Sequence, residues 1–140
     1  MNANPLIPVA IGELFDKFTI LEIKKYKISD KSKLKHVNNE ILYLKKYIEE
    51  YNLDKTIYDE LKNVNLELWD IEDKLRVKES KGEFDDEFIQ LARSVYFTND
   101  KRFECKKKIN SIFNSNIYEV KSYADYKKII PHQNNKINYF

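Results

Sequence analysis

Glu22, Glu72, Arg76, Arg102 and Lys106 are charged, yet each falls on a helical face that is otherwise apolar. Stripping such a group of water is costly unless something pairs with it. These positions therefore mark either an ion-pair network or a place where a ligand is met. At about 100° per residue, Glu22 falls between Phe15 and Phe18 in "FDKFTILEIKKY" (15–26), and Thr19 between Phe15 and Ile23. Glu13 and Asp16 fall near the polar edge of the same helix. In "NVNLELWDIEDKLRVKE" (63–79), Asn65, Glu72, Arg76 and Glu79 lie on or beside the face of Leu61, Leu68 and Leu75, with Trp69 on their flank. Asn99, Arg102, Lys106 and Asn110 recur at steps of three, four and four along the face of Phe88, Leu91, Val95, Phe103, Ile109 and Phe113.

Such a set has a chemistry. Arg76 and Arg102 can clamp a carboxylate or phosphate through paired N–H donors. Glu22 or Glu72 can act as a base, its pKa raised by burial. Thr19, Asn65, Asn99 and Lys106 can orient a polar ligand, and Trp69 can supply a flat wall. The same residues have plainer readings. Glu22 would be a core carboxylate paired to one arginine. Glu72 and Arg76 would be a surface i,i+4 pair worth a few tenths of a kcal/mol. Lys106 and Asn110 would fray into water.

Other chemistries find less support. Two-metal carboxylate bundles use Glu-x-x-His pairs, and His36 and His132 stand beside no matching glutamate. Glu13-x-x-Asp16 and Glu67-x-x-Asp70 echo the magnesium-binding spacing of helical pyrophosphohydrolases, but both pairs map to outer faces, so no metal site is expected. Cys105 maps to an outer face with Lys106 next to it, which could lower its pKa. There is no glycine-rich phosphate loop. The basic run "KRFECKKK" (101–108) reads as a solvated helix end, and a net charge of +2 argues against a dedicated nucleic-acid binder.

The elements that must position these residues are helices. Two glycines and three prolines in 140 residues leave little punctuation for strands. Pro5 and Pro8 fix an extended lead-in, and a first helix spans about 11–27, with Gly12 near its start leaving backbone N–H groups open to approach. After a turn at 28–33, Leu34, Val37, Ile41, Leu44, Ile48 and Tyr51 form one heptad-like seam. From Asp54, a candidate cap, Ile57, Leu61, Val64, Leu68, Ile71 and Leu75 form another. These two seams predict an antiparallel hairpin of the second and third helices. Gly82 ends the third helix. The fourth runs over about 86–113, with a possible bend near Thr98 and Asn99. "IYEVKSY" (117–123) alternates like a short strand or extended arm, and 124–140 reads as a tail. One cysteine and no long apolar run favour a cytoplasmic protein with no membrane span.

"IGELFDKFTILEIK", "VNLELWDIEDKLR", "FIQLARSVYFTNDKR" and "IN…EVKSY" resemble the signature blocks of a small bacterial and phage family of unknown function, found near surface-polysaccharide and glycosyltransferase genes. The resemblance covers most of 7–123. It implies that the polar stretches are family features and that a sugar is the natural ligand. The expectation is thus an all-α bundle of about four helices with an antiparallel hairpin core and a short extended arm. Residues 1–123 form one domain. It binds a small anionic molecule, such as a sugar phosphate or nucleotide-sugar, in a polar interior pocket, with or without catalysis by Glu22 and Glu72. The alternative is a helical homodimerisation or interaction module whose inner polar network only fixes register.

Overall fold

The structure is a computed structural model and describes residues 4–126; most of the expected tail lies outside it. The helices are α1 (Ile11–Lys27), α2 (Lys31–Ile48), α3 (Lys55–Lys81) and α4 (Asp86–Ile112). Local chemistry sets their ends. Asp30 caps α2 by accepting from the N–H groups of Ser32 and Lys33. Asp54 caps α3 through Thr56, and Asp85 caps α4 through Phe88. Gly82 takes φ 65° after α3. That left-handed turn lets its N–H reach the Glu79 carbonyl and the next N–H reach Lys78. α4 runs unbroken through Thr98 and Asn99.

The helical hairpin is α3 with α4, not α2 with α3. The ion pairs Lys78–Glu87 and Lys108–Glu60 step in opposite directions along the two helices, which makes them antiparallel. Among the described residues α2 packs along α1 and on neither of the other two helices. Its connection to α1 is three residues long (28–30), so the chain must fold straight back onto α1. A heptad seam says that a face wants cover; it does not say which helix supplies it. α1 is the hub, packed against all three other helices.

The apolar core sits where α1 and α3 begin and α4 ends. Phe15, Leu61, Val64, Cys105 and Ile109 are buried there, and Ile48, Tyr51, Ile57, Tyr58 and Phe113 close around them. The Phe15 ring stacks on Phe113 at 6.2 Å and meets Tyr51 and Tyr58 edge-on. This core fixes the height at which Asp16, one residue on, enters the bundle. Cys105 is therefore a core residue rather than an outer one. Burial, with Glu60 beside it, pushes its thiol up to about 11, so it is a poor nucleophile at neutral pH.

After α4 the chain does not form a strand. Residues 116–126 run extended back along α4. Glu119 meets Lys106, Lys121 lies over the Phe103 ring, Tyr123 sits beside Asp100, and Tyr126 meets Tyr96 and Phe97. The alternation seen in the sequence is the strap's two sides: Glu119, Lys121 and Tyr123 face α4, while Val120 is 85% exposed.

Candidate functional site

From Asp16, the residue after Phe15, to Thr19, three helices contribute to a polar layer. Asp16 of α1 is 1% exposed and Thr19 is fully buried. Asn65 of α3 donates from Nδ2 to Asp16 Oδ1 and to Thr19 Oγ1, both at 2.9 Å. Thr19 Oγ1 in turn donates to the Asp16 carbonyl at 2.8 Å. Arg102 of α4 grips the carboxylate with two donors, Nε to Oδ1 at 2.9 Å and Nη2 to Oδ2 at 2.5 Å. That bidentate bond holds the guanidinium's pKa above its ordinary value. Asp16 thus receives three hydrogen bonds, the arrangement a buried carboxylate needs.

A second junction lies one turn along α4. Lys106 Nζ is 2.7 Å from Glu13 and 2.8 Å from Glu119 of the strap, with 8% of the lysine side chain exposed. Burial alone would lower the ammonium's pKa; the bonds to Glu119 and Glu13 outweigh it and the pKa is raised. Beyond Lys106, Asn110 Oδ1 accepts from the Gly12 N–H at 2.6 Å, and Ser115 Oγ accepts from Ile11 N–H at 3.2 Å. Ala10 gives α1 no side-chain cap. The end of α4 does so instead, and the N–H groups that Gly12 seemed to leave open are occupied. Glycine is required there because a Cβ would run into the Lys106 carbonyl oxygen.

Two openings meet at Arg102. On one side a cleft of about 220 Å³ is lined by Glu13, Asp16, Lys17, Lys24, Glu40 and Arg102 over the aliphatic Ile20 and Leu21. On the other a crevice of about 20 Å³, room for one water, lies between Asn99, Arg102, Phe103 and Lys106 and the strap's Glu119 and Lys121. Nε and Nη2 of Arg102 are spent on Asp16. Nη1 has no partner among the described residues, and 30% of the side chain is exposed.

Of the residues the sequence singled out, Thr19, Asn65, Asn99, Arg102 and Lys106 come together here. Glu22 does not: it is half-exposed and pairs with Lys62 at 2.8 Å. Glu72 and Arg76 are exposed partners at 3.5 Å. They edge a separate groove of about 400 Å³ between α3 and α4, floored by Leu75, Phe88, Ala92 and Val95. Trp69 is half-buried on α3 and lines neither opening at Arg102 nor that groove. Glu22 and Glu72 thus have no carboxylate at this site; Glu13, Asp16, Glu40 and Glu119 do. Asp16, the centre of the layer, was placed on a polar edge. The signal that marks it is the 3-residue step to Thr19 on the hub helix, opposite an asparagine and an arginine on two other helices. Among the described residues no group of three or more His, Cys, Asp or Glu side chains gathers as a metal site.

A four-helix all-α domain whose layers are joined by a buried acid–amide–arginine node is the class that this fold and site define. The chain belongs to the family of unknown function DUF6165, whose sequence profile matches residues 7–137. The match runs past Tyr123, so the strap belongs to the family's shared region and so does most of the sequence expected to be a tail. No curated protein and no solved structure matches the chain. No helix among the described residues is long and apolar enough to cross a membrane.

Proposed function

We propose that this domain binds a small polar molecule carrying an oxyanion, held over the Asp16–Arg102 pair in the cleft between α1, α2 and α4. The observation that carries the reading is Arg102 itself. One edge of its guanidinium is locked by a buried carboxylate, and the residue lines the cleft. A planar fork fixed in this way is preorganised for a carboxylate or phosphate. Lys17 and Lys24 line the rim, and Ile20 and Leu21 offer an aliphatic floor suited to the apolar face of a sugar ring.

Size limits the ligand. The cleft, at about 220 Å³, lies below the roughly 300–1,000 Å³ of sites that enclose drug-sized molecules. A single sugar ring with its phosphate fits that scale; the nucleotide of a nucleotide-sugar would lie outside, over α1. A surface-polysaccharide setting in bacteria or phage would make a sugar phosphate the natural candidate. No reaction step is assigned, because neither Glu22 nor Glu72 reaches the cleft.

The test is a thermal-shift screen of sugars, sugar phosphates and small carboxylates against the wild type and Lys24→Glu. A true ligand at 100 times its Kd stabilises by about 2.7 kcal/mol. One class should shift the wild type and lose its effect in Lys24→Glu, whose unliganded melting stays the same. Absence of any shift across the screen sinks the reading.

A second reading has its own observation. Among the described helices α2 packs on α1 alone, and it leaves Leu42 and Tyr43 exposed at 70% and 51%. These residues support a homodimer through α2, in which the polar layer serves register only. Sedimentation of the wild type beside Leu42→Glu decides it: a dimer that the variant dissociates supports this reading, and a wild-type monomer removes it.

A further inference from the structure

The strap holds a carboxylate in the crevice on the other side of Arg102 from the proposed ligand cleft. Lys106 is nine-tenths buried and already has one carboxylate, Glu13, supplied by the helical body. One counter-charge neutralises an ammonium; Glu119 is a second, delivered by a segment that belongs to no helix. The Glu119 carboxylate lies in the crevice that Arg102, Asn99 and Lys106 line, on the side of Arg102 away from the cleft. It is thus a built-in oxyanion on cations that the site could otherwise offer.

The strap is attached at separate points, among them Tyr118 Oη on the Asn110 carbonyl at 3.5 Å and Tyr123 beside Asp100. Ser115 ties its root by accepting from Ile11 and donating to the Ile117 carbonyl. Its far end is held by Tyr126, whose ring meets Phe97 at 4.9 Å and Tyr96 at 5.2 Å. Between these points Val120 is exposed, and Lys121 lies 6.0 Å from the Phe103 ring centroid and pairs with Glu119 itself at 3.2 Å. Beside the strap's far end runs a cleft of about 760 Å³, lined by Phe97, Asp100, Cys105, Tyr123 and Tyr126 among others. Lifting it would bare Lys106 and the outer edge of Arg102 without breaking any hydrogen bond of the Asp16 node.

We propose that residues 116–126 are a self-ligand strap, with Glu119 occupying the Lys106–Arg102 oxyanion position and an incoming carboxylate or phosphate displacing it. This rests on the reading above of Arg102 as an oxyanion donor and gives that residue a second, strap-covered oxyanion position on its other side, beside Lys106. Apparent affinity is then reduced by the fraction of molecules in which the strap is lifted. A strap lifted in about one molecule in ten, at the upper end of ordinary minor-state populations, weakens binding about tenfold.

The experiment titrates inorganic phosphate, and separately acetate, into the wild type, Glu119→Gln and Tyr126→Ala, with amide exchange of residues 117–123 followed alongside. Tyr126→Ala unlatches the strap without changing charge at Lys106. Both variants should bind at least one probe more tightly than the wild type, about tenfold for Glu119→Gln, and the probe should speed exchange in the wild-type strap. Tighter binding by Glu119→Gln with no change in Tyr126→Ala is plain electrostatics and overturns the strap. Equal binding by all three also overturns it and leaves the binding reading standing. No binding by any of them, Glu119→Gln included, removes the oxyanion site and the strap together.

Discussion

Asp16–Arg102 and Glu72–Arg76 join the same two functional groups in two settings. The first pair spans 86 residues of sequence and bolts α1 to α4 through two hydrogen bonds on a carboxylate that is 1% exposed. The second spans four residues of one helix at 3.5 Å, with side chains 48% and 73% exposed. Breaking the local pair moves no helix. Breaking the distant one leaves a charge stranded between three. Chemistry alone does not separate them; the number of helices that meet at each does.

The sharpest way to break this contrast is Arg102→Ala. It leaves Asp16 buried without its counter-charge and should cost about 3–5 kcal/mol in chemical denaturation. The double variant Asp16→Leu with Arg102→Met should recover most of that loss, because a buried pair replaced by apolar groups of similar size is often near neutral. If Arg102→Ala costs no more than Arg76→Ala, the node is not a bolt. Next comes Gly12→Ala. Its Cβ meets backbone rather than a movable side chain, so α1 and α4 must part slightly, at roughly 1–3 kcal/mol.

A smaller effect should appear on acidification at the strap. The Glu119 carboxylate is held below the ordinary glutamate range, first by its bond to Lys106 and also by Lys121. A lowered folded-state pKa means a contribution that is full above the unfolded value and lost as pH falls through the folded one. Lys106, Lys121, Arg102 across the crevice and, beyond Lys106, Glu13 are the charges facing it. Amide protection of residues 117–123 should therefore hold at neutral pH and fall below pH 4.5, the ordinary glutamate value; in Glu119→Gln that step should vanish. The smallest effects belong to Glu72→Ala and Arg76→Ala, a few tenths of a kcal/mol each. A larger loss at either would show that the groove they edge is doing more than shedding water.

The helices were legible because their signals are local: Asp54 as a cap, Gly82 as a stop, and apolar steps of three and four. Pairing was not. The α2 seam is real, yet α2 lies on α1, since a three-residue link decides what a seam cannot. On α4 the buried face is turned by roughly one residue step from the face that Phe88, Val95 and Phe103 suggest. Ser94 and Thr98, 2% and 1% exposed, share it with Leu91, Cys105 and Ile109. Small polar residues sit where helices approach closely, and a hydrophobicity count passes over them. Asp16 was misplaced for a related reason. A wheel assumes one buried side, while α1 is enclosed by three neighbours, so its apparent polar edge is a packed one. Arg102, Asn65 and Thr19 stood out because no apolar reading accounted for them; their shared partner did not.

The hub position of α1 has a consequence for synthesis. Its first turn is closed by Asn110 and Ser115, 98 and 104 residues further on, and Asp16 waits 86 residues for Arg102. On the ribosome, where chains emerge at about 5–20 residues per second, α1 and α2 are out for seconds before α4 exists. During that interval the acid and its amide have no guanidinium to meet. The fourth helix is the one that neutralises the first.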